Sequence, residues 1–232
     1  MRTLVLSDIH ANIDALEAIS ESFDAVLFLG DVVDYGPDPV SCIDWLRKRS
    51  AMRVRGNHDN AVAFRVDCGC GQAYLHLSLA TRKYMWQALD AEQLSWTGSA
   101  QTSLALESGG RRVFAVHAAP SDHLFKYVTP ETPDSELDEE GSVAGADIVL
   151  MGHTHKPFTR QVSGRLLVNV GSIGQPRDGI AAASYAVLED GQVELKRVDY
   201  NVGAAVAKLR ALPLEQRVID ELVFILENAG MP

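Results

Sequence analysis

Acid, amide and imidazole side chains fall into five short clusters along this chain. They read Asp8-Ile9-His10, Gly30-Asp31-Val32-Val33-Asp34, Gly56-Asn57-His58-Asp59, Val116-His117 and Gly152-His153-Thr154-His155. Five of the seven histidines lie within them. Together these side chains offer seven oxygen or nitrogen ligands, enough for two metal ions in open coordination. Paired ions of that kind suit displacement at phosphorus, where they clamp the attacking and leaving oxygens. Asp-x-His and His-x-His put both side chains on one side of an extended chain, because successive residues alternate in direction. Either pair alone is weak evidence, since such histidines more often belong to a surface or a core. The ordered series carries the weight.

The elements that must position these clusters are legible upstream of each. Residues 3–7 read as a buried strand leading to Asp8, and Asn12 as the N-cap of a helix with Ile13, Leu16 and Ile19 on one face. Residues 25–29 form a second apolar strand that delivers Gly30 and Asp31. Residues 37–49 read as a helix and 52–55 as a short strand ending at Gly56. Strand and helix thus alternate over the first sixty residues, the pattern of a parallel sheet with both faces covered. Each polar cluster falls just past the C-terminal end of a strand, where ligand sites form in open α/β sheets.

Beyond residue 70 the character changes. Residues 72–97 read as mostly helical, with Leu75, Leu79, Tyr84 and Leu89 among the apolar positions. Residues 102–107 and 112–117 flank Gly109-Gly110 as a hairpin, and 147–151 form another buried strand. Residues 160–170 and 184–200 read as antiparallel pairs, the second turning at Asp190-Gly191. The stretch 119–145 contains three prolines and an acidic run from 134 to 140. It reads equally as a partial lid or as a short acidic surface helix. Residues 213–228 form a C-terminal helix whose broad apolar face fits deep packing or a subunit contact in a homo-oligomer. No repeat or linker interrupts the 232 residues, so a single domain is expected.

A hydrophobic content of 47% supports a globular core, and the formal net charge of -10 argues against broad binding to long nucleic acid or an anionic membrane. A phosphate ester is itself negative, so local cations must overcome that field. No apolar run reaches the ~18 residues needed to span a bilayer. A leader is not expected, since cleavage after the first strand would remove Asp8; the chain reads as soluble and cytoplasmic. Cys68-Gly69-Cys70 lies in a glycine-containing loop with no second cysteine or histidine pair at ligand spacing, and reads as reduced surface thiols.

The order of the five clusters resembles the calcineurin-like metallophosphoesterase superfamily, whose pattern is Asp-x-His, Gly-Asp-x-x-Asp, Gly-Asn-His-Asp/Glu, a later His and Gly-His-x-His. Every part occurs here in order, from residue 8 to residue 155. The resemblance implies a four-layer α/β/β/α sandwich of two mixed β-sheets flanked by helices. It also implies that Asp8, His10 and His155 bind one metal, that Asn57, His117 and His153 bind the other, and that Asp31 bridges them. A shared carboxylate offsets the repulsion between ions ~3.5–4 Å apart. An imidazole and oxygen set without thiolate suits manganese, iron, zinc, nickel or cobalt. Two such ions, two carboxylates and a bridging hydroxide leave a local charge of about +1, which attracts phosphate on an acidic protein.

The family likeness further implies that His58 faces the substrate as general acid or charge stabiliser, with Asp59 orienting its imidazole and Asp34 orienting a metal-binding histidine. The reaction implied is in-line attack on phosphorus by the hydroxide bridging the ions. Residues 169–178, Asn-Val-Gly-Ser-Ile-Gly-Gln-Pro-Arg-Asp, resemble a stretch of the small capless prokaryotic phosphodiesterase-like members, with Val170 where proline is usual. Arg177 there is placed to bind a substrate phosphate or to pair with Asp178 or another carboxylate, and Asn57 and His58 would share in substrate binding. The expected activity is therefore a phosphodiesterase on a small or nucleotide-like ester. A phosphomonoesterase acting on protein or nucleotide is the alternative, and a non-catalytic scaffold of the same fold a more distant one.

Overall fold

The structure, a computed structural model, describes residues 1–231. In chain order the first half gives β1 (Arg2–Leu6), α1 (Ile13–Glu17), β2 (Ala25–Phe28), α2 (Pro39–Lys48), β3 (Met52–Arg53), α3 (Asn57–Phe64), α4 (Gln72–Ala88) and α5 (Ala91–Gly98). The second half gives β4 (Ser103–Ser108), β5 (Arg111–Val116), α6 (Asp134–Ala144), β6 (Ile148–Met151), β7 (Phe158–Val162), β8 (Arg165–Asn169), β9 (Ala183–Glu189), β10 (Gln192–Val198), α7 (Val202–Arg210) and α8 (Gln216–Asn228). The strands form two five-stranded mixed sheets, in the orders β10-β9-β1-β2-β3 and β4-β5-β6-β8-β7. The strands β1, β2 and β3 run parallel, as do β5, β6 and β8, and antiparallel strands complete the sheets.

Alternation of side chains along each strand makes the layers. In β1, Val5 faces the second sheet while Leu4 and Leu6 face helices. In β6, Ile148 and Leu150 face the first sheet, while Val149 and Met151 face outward with Leu137 of α6. Helices α1 and α2 cover the outer face of the first sheet, and α6 covers that of the second. The result is the α/β/β/α sandwich with two mixed sheets. Both Asp190 and Gly191 have positive φ, the backbone of a type I′ hairpin turn.

The C-terminal helix α8 buries Val218, Ile219, Leu222, Val223, Ile225 and Leu226 against α4 and α7, so most of its broad apolar face is internal. Phe224 remains 37% exposed. Helices α3 and α7 were not expected from the sequence, and Leu79 of α4 faces solvent instead of the core. The buried face of α4 is Leu77, Ser78, Thr81, Arg82 and Met85, three of the five polar. Among the described residues no helix is long and apolar enough to cross a membrane.

In the stretch 119–145, α6 docks on the second sheet and Glu140 ties the preceding loop to it. The Glu140 carboxylate accepts from Ser121 N and Oγ and from Lys126 Nζ, the last at 2.7 Å. Burial alone would raise this carboxyl, but Lys126 and Ser121 outweigh it and hold it below the usual range. Such a group stabilises the fold above the ordinary glutamate pKa, and that contribution is lost as pH falls through its lowered value. We therefore expect Glu140→Gln to cost about 2 kcal/mol at neutral pH, from bonds to a charged acceptor. Urea unfolding should show the deficit shrinking under acid conditions. A deficit that stays constant with pH would contradict this account.

Candidate metal centre

The C-terminal ends of β1, β2, β5, β6 and β8 meet at one edge of the sandwich, and their loops interlock. Asp8 N donates to the Gly30 carbonyl, His10 N to that of Asp31, and Gly152 N to that of His117. The loop after β8 closes on the same edge, with Gly174 N donating to the Asp8 carbonyl. Asp8, His10, Asp31, Asp34, His153 and His155 all have φ between 44° and 66°. This concentration of left-handed backbone on non-glycine residues is strain of the kind that functional sites hold.

Two glycines allow the close approach. A Cβ at Gly56 would lie 2.1 Å from Asp31 Oδ1, and one at Gly152 would lie 1.9 Å from Ser7 Oγ. No other residue fits there without moving a carboxylate of the site. This gives the Gly-Asn and Gly-His pairs of the sequence a steric reason.

Six of the seven candidate ligands are held so that one ligating atom points inward, and His153 keeps a buried Nε2 without a partner among the described residues. Nδ1 of His10, His117 and His155 donates to the carbonyls of Val33, Leu29 and Gln175, at 2.7, 2.8 and 2.5 Å. In the neutral ring this fixes a bare lone pair on each Nε2. Asn57 Nδ2 donates to the Cys68 carbonyl at 2.7 Å, turning Oδ1 inward. Asp8 Oδ2 accepts from Ser7 Oγ and His153 N, leaving Oδ1 inward. Asp31 Oδ1 accepts from His58 N and Asp59 N at the start of α3, leaving Oδ2 inward.

These atoms crowd together. Nε2 of His10 and His155 are 3.1 Å apart, and Asp8 Oδ1 is 3.1 Å from the latter without hydrogen-bonding alignment. Nε2 of His117 lies 2.9 Å from Asn57 Oδ1 and 3.2 Å from Asp31 Oδ2, while Nδ1 of His153 lies 3.1 Å from Asn57 Oδ1. The Nε2 atoms of His10 and His155, both bare in the neutral rings, repel at 3.1 Å, and a cation between them reverses the sign. Asp8, His10 and His155 form one cluster of donor atoms, and Asp8, Asp31 and His117 a second that adjoins it. Asp8 is common to both, and Asp31 sits close enough to His117, His58 and His10 to act on all three.

The electrostatics match. Burial and the nearby imidazole of His155 push His10 well below an ordinary histidine, burial and Arg177 lower His155, and burial and His117 drive His153 down to about 3. A ligand histidine must be neutral, and these environments favour the neutral ring. For His117 burial is outweighed by Asp31, which lifts it to about 9, a proton held where a divalent cation would do better. Burial opposes the charged form of Asp8 and Asp31, yet the surrounding imidazoles keep both carboxyls below the usual range. The donor set therefore fits divalent transition-metal ions.

His58 lies beside this set, and its environment corrects the expectation for Asp59. Nδ1 of His58 donates to Asp34 Oδ2 at 2.7 Å, and the same oxygen accepts from Arg82 Nε and Nη2 at 3.3 and 3.1 Å. Asp34 thus orients His58, not a metal-binding histidine. Asp59 makes no contact with that ring; its carboxylate accepts from the backbone N–H groups of Asp31, Val32 and Gly56. Burial and the Asp31 charge push Asp59 up to about 6 against those donors. Its position at the third residue of α3 explains the difference, since a carboxylate there turns back toward the helix start. Burial disfavours the His58 imidazolium, but Asp31 and Asp34 outweigh it and raise its pKa.

Arg177 does not pair with Asp178, which Arg197 takes. Its guanidinium lies 3.6 Å over the ring of Tyr74 and 5.6 Å from that of Tyr35, donating to Gln175 Oε1. Among the described residues it has no carboxylate partner. The Tyr35 hydroxyl is 3.4 Å from His58 Nε2, and the Tyr127 ring lies 4.3 Å from that of His153. Sequence reading missed Arg82, Tyr35, Tyr74 and Tyr127. Only for Arg82 was there a signal, namely a cation on the helical face shared with Leu77, Ser78 and Met85. The cysteines were misjudged as well. Cys68 is fully buried and Cys70 half-buried, both close to His58.

Comparison with known proteins agrees with this geometry. The sequence model described as the calcineurin-like phosphoesterase superfamily domain matches residues 1–191. An uncharacterized protein of Methanocaldococcus jannaschii is 29% identical over 228 residues, covering 88% of this chain and 90% of that one. Phosphodiesterase YfcE of Escherichia coli is 26% identical over 197 residues, covering 82% of this chain and 88% of its own. Among solved structures, a metallophosphoesterase from Sphaerobacter thermophilus superposes with a TM-score of 0.80 at 28% identity, over 99% of both chains. The structure of hypothetical protein PH1004 from Pyrococcus horikoshii shares the fold at 22% identity, TM-score 0.83, over 100% of this chain and 99% of that one.

Proposed function

We propose, from the premise that this chain belongs to the calcineurin-like phosphoesterase superfamily, that it is a dinuclear metal-dependent phosphodiesterase acting on small or nucleotide-like esters. The observation that carries the metal centre is the set of inward acceptors, with imidazole nitrogens of His10 and His155 facing each other at 3.1 Å. Asp8, His10 and His155 would hold one ion, and Asn57, His117 and His153 the other, with the inward oxygen of Asp31 between them. When bound, such ions supply Lewis acidity toward phosphoryl oxygens and bring the pKa of water to about 7.

The chain's own residues supply the rest. The two N–H groups at the start of α3 hold Asp31 in place, and Asp59 holds the loop that carries it. His58, whose imidazolium the Asp31 and Asp34 carboxylates favour, donates from Nε2 to the departing ester oxygen. Arg177 adds a single cation over the half-buried Tyr74 ring, the exposed Tyr127 ring lies beside His153, and Tyr35 is buried behind His58. One cation and two accessible aromatic rings suit a singly charged diester with an aromatic or nucleoside substituent better than a doubly charged monoester. The 26% identity to a protein named as a phosphodiesterase points the same way.

The test is hydrolysis of bis-p-nitrophenyl phosphate against p-nitrophenyl phosphate by chelator-stripped protein, with manganese, nickel, zinc or magnesium added back. Metal-dependent turnover favouring the diester is the expected result. Preference for the monoester would replace this reading with a phosphatase.

A further inference from the structure

We propose that Cys68, Cys70 and His58 form a separate site for one thiophilic divalent cation of the zinc class, beside the dinuclear centre. A donor atom from each of the three lies within 4.8 Å of the others. The loop between α3 and α4 is shaped for this. Gly69, at φ +62°, reverses the chain so that both sulfurs approach the Ser78 hydroxyl, at 3.6 Å for Cys68 and 3.4 Å for Cys70. Phe125 closes over that glycine, where a Cβ would meet its ring at 2.8 Å. The Asn57 amide anchors the loop to α3 through the Cys68 carbonyl. His58 donates from Nδ1 to Asp34, so Nε2, 3.4 Å from the Tyr35 hydroxyl, is the ring nitrogen that ligates once it gives up its proton.

Two thiolates and one imidazole are a soft set, of the Cys₂His kind that holds zinc with one position open. The dinuclear centre has no sulfur donor, so the two sites divide cations by softness. Binding displaces the two thiol protons and the proton on His58 Nε2, and the two thiolates balance the charge of the ion. Half-buried Cys70 gives the ion its route from solvent. Occupation ties up the His58 lone pair, so the soft ion inhibits; this consequence alone rests on the role given to His58 above.

The test uses the manganese-loaded full chain titrated with cadmium chloride. The readouts are the ultraviolet thiolate-to-cadmium charge-transfer band and the rate on bis-p-nitrophenyl phosphate. One equivalent of cadmium should produce the band and lower the rate at least ~tenfold, with a common midpoint. Cys70→Ser should keep the manganese-dependent rate, lose the band and resist cadmium. Cys42→Ser, altering the core cysteine, should keep the band. Asp31→Asn should also keep it, so failure of the esterase reading would not hide the site. The site is overturned if no band appears, if the band survives in Cys70→Ser, or if it vanishes in Asp31→Asn. A band without loss of rate removes His58 from the ligands and overturns the site as drawn.

Discussion

Asp31→Asn is expected to lower metal-dependent kcat/KM by about 10³-fold or more, equivalent to at least about 4 kcal/mol of transition-state stabilisation. The substitution is nearly isosteric, so α3 can still donate to the remaining oxygen. What it removes is the charge. Asp31 Oδ2 lies 3.2 Å from His117 Nε2, and its carboxylate acts on His117, His58 and His10 together. An amide there offers two cations no compensation for their mutual repulsion. It also presents an N–H donor to atoms that must be free to ligate. Metal content, measured after dialysis, should fall along with activity, and near-normal turnover in this variant would remove Asp31 from the centre.

His58→Ala is expected to lower kcat by about 10²–10⁴-fold while leaving metal content unchanged. The ring hydrogen-bonds Asp34, lies beside Tyr35 and packs edge-on to His10, and it is not one of the seven expected metal ligands. Loss of metal with the ring would contradict this assignment. The pH dependence separates a proton donor from a mere filler. His58 acts protonated, and the Asp31 and Asp34 carboxylates raise its pKa, so activity should fall as pH rises through that raised value. Two bound cations offset the part due to Asp31, and the hydrogen bond that His58 donates to Asp34 remains. Asp34→Asn should therefore move the alkaline fall to lower pH. The same change strands Arg82, only 2% exposed, without a counter-charge, which costs about 3–5 kcal/mol of stability. Urea unfolding distinguishes that loss from the catalytic one.

The strands β1, β2 and β6 were legible because their apolar runs are uninterrupted and each leads into a glycine or an acid. The hairpin at Asp190-Gly191 was legible from its turn residues alone. Helix α3 was not, because Asn57, His58 and Asp59 are buried polar residues and the segment has no apolar stripe to give a period. The same inversion concealed the inner face of α4, where Ser78, Thr81 and Arg82 point toward the site and Leu79 points to solvent. The role of Asp59 was misread for a related reason. The family likeness implied contact with His58, but helical geometry turns neighbouring side chains about 100° apart. The approach of Cys68 and Cys70 to His58 depends on the reversal at Gly69 and had no local sign.

The central claim is that the inward acceptors at the edge of the sandwich hold two ions. The most direct measurement is metal content per chain, after chelator stripping and reloading with manganese, which imidazole and oxygen donors take in preference to thiolates. Two manganese ions per chain in the wild type, with loss of at least one in Asp31→Asn, is the expected result. One ion or none in the wild type, or two retained when Asp31 is replaced, would contradict it.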